Sequence, residues 1–206
     1  MESGGWEKRQ TNAPVNVRVE LEMVAKKKSA DVRRRAKQIR LLLMDVDGVL
    51  TNGSVCLQAF PDGSVAEMKV FNAHDGAGLH LASMVGLRSG VITGRNTPAV
   101  DQRAKEAHIE FVYQGQAKKM GAYEEILRCA GVKDHEVAYM GDDLPDLPLF
   151  ARVGLAVAVA DAAAEVIRAA HYVTRAKGGE GAAREVVELI LKAQGKWEAA
   201  IPKALA

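Results

Sequence analysis

Short apolar runs recur along the chain, separated by polar stretches marked with Gly or Pro. Apart from Arg40 and Thr93, residues 39–44, 90–93, 111–113, 137–140 and 155–159 are apolar without alternation, the pattern of strands covered on both faces of a parallel sheet. Between them, residues 76–85, 97–107, 117–130 and 161–169 predict helices. The first and third are closed by Gly86 and Gly131, and Pro98 stands near the start of the second. A last helix is expected over 182–194. Strand and helix in alternation predict an α/β fold with a doubly wound, Rossmann-like parallel sheet. One piece interrupts the alternation: residues 54–58 and 65–71 flank Phe60-Pro61-Asp62-Gly63-Ser64 and predict a projecting β-hairpin. Upstream, the second half of 17–37 predicts a helix, its basic residues at 26–28 and 33–35 forming a solvated face. The expected organisation is an N-terminal extension over 1–30, one α/β domain over 31–195 and a tail over 196–206.

Composition narrows the function classes. Apolar residues make up 48% of the 206 and charged residues 26%, enough for a real core. Lys plus Arg number 28 against 26 for Asp plus Glu, so the net charge of +2 predicts neither a nucleic acid nor a membrane surface as partner; a small molecule is expected. No apolar stretch reaches the roughly 18 residues of a membrane span, and residues 1–12 lack the apolar segment of a secretory signal, so the expected compartment is the cytoplasm. Cys56 and Cys129 suit that reducing setting and are expected as small buried hydrophobes.

Open α/β sheets bind ligands beyond the carboxyl ends of their strands. There the sequence places Asp45-Val46-Asp47-Gly48, Thr93-Gly94-Arg95 and Gly141-Asp142-Asp143 with Asp146, and Lys118-Lys119 stand at the start of the third predicted helix. Converging carboxylates repel one another unless a cation neutralises them, and an all-oxygen set selects a hard ion, Mg2+, with a phosphate as its companion ligand. The Thr93 hydroxyl and the Lys119 ammonium suit phosphoryl oxygens. Asp45, ionised at neutral pH, can attack phosphorus directly. Asp47 can protonate the departing alkoxide and later deprotonate the hydrolytic water. Gly48 lets the chain turn sharply and come close to the phosphate.

Together these residues resemble the haloacid dehalogenase-like superfamily of phosphohydrolases in motif type, order and spacing. The runs DVDGVLTNG, FNAHDGAG, VITGR, YQGQAKK, GDDLPDLP and AKGGEGAARE look like those of its members that hydrolyse 3-deoxy-D-manno-octulosonate 8-phosphate (KDO 8-phosphate). The resemblance implies Asp45 as nucleophile and Asp47 as acid/base, with Thr93 and Lys119 holding the phosphoryl group. It implies Mg2+ held by Asp45, the Asp47 carbonyl and Asp142, with Asp143 and Asp146 in support. Gly48, Asn72, His74, Asp75, Gly94 and Arg95 are then expected beside the substrate, a sugar acid phosphate whose product serves lipopolysaccharide synthesis. Members commonly carry Arg where this chain has His74, and often a basic residue where it has Glu180. KDN 9-phosphate is therefore an alternative substrate, and a catalytically inactive oligomerisation module is an alternative of another class. Only 46 residues separate Asp47 from Thr93 and 26 separate Thr93 from Lys119, which leaves no room for a cap domain. Closure of the site is expected from the tail or a neighbouring subunit. A homotetramer is expected, with hairpins covering one another's apolar faces.

Overall fold

The computed structural model describes residues 29–204. The chain divides into two compact units, Met1–Asp31 and Val32–Ala206. The basic residues at 26–28, with the very start of the expected N-terminal helix, lie outside the described residues; residues 29–36 are helical (α1).

Within the larger unit the elements run β1 (Leu41–Met44), β2 (Cys56–Ala59), β3 (Val65–Met68), α2 (Ala73–Met84), β4 (Arg88–Ile92), α3 (Pro98–Glu106), β5 (Phe111–Tyr113) and α4 (Met120–Ala130). They continue with β6 (Val137–Gly141), α5 (Leu147–Phe150), β7 (Leu155–Ala158), α6 (Ala164–Ala169), β8 (Tyr172–Val173), α7 (Ala182–Ala193) and α8 (Trp197–Ala200). Six strands form a parallel sheet in the order β5-β4-β1-β6-β7-β8, and β2 and β3 form a separate antiparallel pair. The doubly wound sheet and the projecting hairpin are as expected, and no domain is inserted between Asp47 and Lys119.

The continuous apolar runs have the expected cause. In β1, Leu42 and Met44 pack with α2, α3 and α7 on one face, through residues such as Leu79, Val100, Val187 and Ile190. Leu41 and Leu43 meet α4, α5 and α6 on the other, through Tyr123, Ile126, Phe150 and Val166. All four β1 side chains are fully buried, each worth about 1.5–3 kcal/mol relative to exposure.

Four expectations need correction. The first helix after the hairpin begins at Ala73 instead of Gly76, because Asn72 Oδ1 accepts the His74 N–H at 2.8 Å and caps the helix there. The sheet has a sixth strand, β8, whose two residues are too short to show as an apolar run. Cys56 and Cys129 are exposed: Cys56 lies on the solvent-facing hairpin and Cys129 on the outer side of α4. The 196–206 segment is packed through its described part, with Ala200 fully buried and Lys203 Nζ donating to the Met84 carbonyl at 2.8 Å. That anchor is at the carboxyl end of α2, so within its own chain the described tail does not cover the ends of the strands.

Candidate active site

The strand order reverses at β1, which leaves by α2 to β4 on one side and has β6 on the other. The crevice at such a switch point opens beyond the carboxyl ends of these strands. A cleft of about 430 Å³ is found there, lined by Asp45 and Asp47 after β1, Thr93 to Arg95 after β4, Gln116, Ala117 and Lys119 before α4, and Asp142 and Asp143 after β6.

The loop after β1 is tightly turned. The Val46 carbonyl accepts the N–H groups of Leu50 and Thr51 at 2.9 and 3.0 Å, and Gly48 sits at φ +89°. A Cβ there would fall 2.0 Å from Asp142 Oδ2, so glycine is demanded twice, by the left-handed backbone and by the approach of Asp142. Gly178 closes the other side of this loop, where a Cβ would fall 1.8 Å from the Gly48 carbonyl oxygen.

Lys119 organises the floor. Its buried ammonium lies 2.8 Å from Asp45 Oδ2 and 2.6 Å from Asp146 Oδ1. Asp146 is saturated: Oδ1 also accepts the Tyr139 hydroxyl at 2.7 Å, and Oδ2 accepts the N–H groups of Asp142 and Asp143 at 3.0 and 3.3 Å. Burial alone would depress the Lys119 pKa, but the carboxylates of Asp45 and Asp146 outweigh it and hold the ammonium above its ordinary value. Burial pushes Asp45 up to about 6, opposed by Lys119 and reinforced by Asp146. Burial likewise raises Asp142 to about 7, with the charges of Asp45 and Asp146 adding to it.

Oxygens of Asp45, Asp142 and Asp146 lie within 4.8 Å of one another. Asp146 has spent its lone pairs on Lys119, Tyr139 and two backbone groups, whereas Asp142 Oδ1 is buried and accepts no hydrogen bond from the described residues. An unsatisfied carboxylate oxygen beside a second carboxylate is a donor set for a hard cation, and a cation there would restore both groups to their ionised form. Asp45 and Asp142 are the residues able to hold it, with Asp146 tying Lys119 and the Asp142-Asp143 backbone in place.

The other expected site residues divide. Asp47, Thr93, Gly94, Arg95 and Asp143 line the cleft with Asp45, Lys119 and Asp142; Thr93 Oγ1 is 3.5 Å from Asp47 Oδ2, the outer limit of a hydrogen bond. Asn72, His74 and Asp75 do not line it. Asn72 is spent on capping α2. Asp75 is buried, its carboxylate accepting the N–H groups of Gly181 and Arg184 at the start of α7 at 3.3 and 2.8 Å. His74 is exposed on the first turn of α2. Conversely, the hairpin contributes a residue that sequence reasoning missed: Lys69 Nζ contacts Asp47 Oδ1 and lies 2.7 Å from Glu67 Oε1. Strand alternation in Glu67-Met68-Lys69 was the available signal, since it sets the two charges on one face.

Residues 93–186 match the family of haloacid dehalogenase-like hydrolases. The 3-deoxy-D-manno-octulosonate 8-phosphate phosphatase of Yersinia pestis is 46% identical over 170 residues, 82% of this chain and 89% of that protein. Among solved structures, a subfamily III A hydrolase of the haloacid dehalogenase superfamily from Legionella pneumophila superposes with a TM-score of 0.83 at 40% identity, covering 89% of this chain and 98% of that one. The 3-deoxy-D-manno-octulosonate 8-phosphate phosphatase of Moraxella catarrhalis, solved with a magnesium ion, a phosphate ion and KDO, gives 0.78 at 38% identity, covering 84% and 97%. With 46% identity over most of both chains and superposable folds, the chain belongs to the 3-deoxy-D-manno-octulosonate 8-phosphate phosphatase family of haloacid dehalogenase-like hydrolases.

Proposed function

We infer that the protein is a Mg2+-dependent phosphatase that hydrolyses KDO 8-phosphate to KDO and phosphate in lipopolysaccharide biosynthesis. The observation that carries this reading is the meeting of Asp45, Asp47, Thr93, Lys119 and Asp142 in one crevice. Asp45 attacks phosphorus and forms an aspartyl phosphate, its second oxygen oriented by the Val46 N–H at 2.7 Å or by Lys119. Thr93 and Lys119 bind the phosphoryl oxygens, and Gly94 and Arg95 form the rim on the sugar side. Asp47 protonates the sugar oxygen as it leaves and then takes a proton from the water that cleaves the intermediate. Mg2+ held by Asp45, Asp142 and the Asp47 carbonyl would neutralise the crowded carboxylates and the phosphoryl charge. Asp143 at the cleft wall and the buried Asp146 beneath it support this arrangement.

Phosphate release from KDO 8-phosphate, compared by kcat/KM with KDN 9-phosphate and neutral sugar phosphates, tests the substrate. A preference for KDO 8-phosphate of at least about tenfold in Mg2+, abolished by excess EDTA, is expected. Equal rates across the panel would remove the substrate assignment.

We further propose that the protein works in the cytoplasm as a homotetramer in which hairpins pack on one another. No helix among the described residues is long and apolar enough to cross a membrane. Leu57, Val65, Met68 and Val70 are 52–76% exposed on a two-stranded ribbon that is marginal alone. Val65→Asp is expected to give smaller species by light scattering, with kcat/KM for the sugar phosphate falling more than for a small phosphate ester. A monomeric wild type with full activity would refute the assembly.

A further inference from the structure

The side of the hairpin turned toward the crevice carries charges that the reaction leaves unused. Leu57 of β2 pairs with Glu67 of β3, and Lys69 follows on the Glu67 side two residues later. Lys69 is a cation with a side chain only 2% exposed, held between the carboxylates of Asp47 and Glu67. Glu67 is gripped in turn by Arg95, whose Nε lies 2.9 and 3.1 Å from its two oxygens and whose Nη2 lies 2.8 Å from Oε2. The hydrogen bonds from Arg95 and Lys69 hold the Glu67 carboxyl down at about 2. A buried ammonium with two carboxylate partners has one place to be, because leaving either partner uncompensated is costly. Among the described residues, the Asp47 carboxylate has only the long Thr93 hydrogen bond besides Lys69.

We propose that Lys69 is a positioning residue for Asp47, the means by which the hairpin of this same chain sets the acid/base carboxyl at the leaving oxygen. The proposal rests on the reading of Asp47 as acid/base. As an Asp45 oxygen bonds to phosphorus, the ester P–O bond breaks and its electron pair stays on the sugar oxygen, which takes the proton of Asp47. The Asp47 carboxylate so formed is the anion that Lys69 holds. In the second half that carboxylate takes a proton from water as the water oxygen bonds to phosphorus and the bond to Asp45 breaks. Glu67 and Arg95 keep the ammonium in register with the crevice rim.

A proton from Asp47 matters for a sugar alkoxide and little for p-nitrophenolate, a weak base that departs unaided. Lys69→Met, which keeps the length of the stem, is therefore expected to lower kcat/KM about 100-fold for KDO 8-phosphate and only about threefold for p-nitrophenyl phosphate. The loss should fall in kcat, with KM nearly unchanged. Glu67→Gln, which loosens Lys69 without removing it, should show the same leaving-group dependence at smaller amplitude, and it decides the matter if Lys69→Met does not fold. Equal losses on both esters would overturn the proposal in favour of a purely structural ion pair, as would unchanged sugar phosphate turnover in both variants. A wild type that ignores KDO 8-phosphate but cleaves another sugar phosphate would remove the substrate reading alone, and the same comparison then runs on that ester.

Discussion

Replacing Asp45 by Asn is expected to lower kcat for sugar phosphate hydrolysis by on the order of 10^4-fold or more, with the fold intact. The amide cannot attack phosphorus, so the covalent route is lost rather than weakened. Stability should move the other way. Burial raises the Asp45 carboxyl to about 6, so its charge is a burden on the metal-free fold, and an isosteric neutral group relieves it. Lys119 keeps Asp146 at 2.6 Å and is not left unpaired. Rapid-quench assays for acid-stable phosphoprotein, set beside thermal melts, would check both halves. Turnover near wild type in Asp45→Asn would rule out the nucleophile assignment.

Removing the metal should change stability in a pH-dependent way. Asp45 and Asp142 have folded-state values of about 6 and about 7 against an ordinary 3.8. Because these values are raised, their stabilising contribution is complete below about pH 3.8 and is lost as pH climbs through 6 and then 7. The protein in EDTA is thus expected to melt at a lower temperature at about pH 8 than at about pH 5. Mg2+ binds the ionised carboxylates, so its stabilisation should be largest at about pH 8 and nearly absent at about pH 5. At a hundredfold excess over Kd it amounts to about 5–10 °C for a chain of this size. Asp142→Asn should flatten the EDTA profile and remove most of the Mg2+ gain. An equal Mg2+ effect at both pH values would mean that these carboxylates do not hold the ion.

Five of the six sheet strands, the hairpin and the residues that meet at the carboxyl ends of the strands were legible in the sequence. Those features are local. A run such as Leu41 to Met44 is buried on both faces whatever surrounds it, and chain direction in a parallel sheet sends Asp45, Thr93 and Asp142 to one edge. Tertiary structure alone decided what the polar residues between those strands do. Asn72 and Asp75 stand in a segment that suggested substrate contact, yet one caps its own helix and the other receives the amino end of α7, more than a hundred residues away. No local pattern reports such a pairing, since a helix end takes whichever acceptor the packing brings. Lys69 is the converse case. Directly after β3 it is one charge continuing an alternating pattern, and only the folding of the hairpin back over the β1 loop buries its ammonium against Asp47.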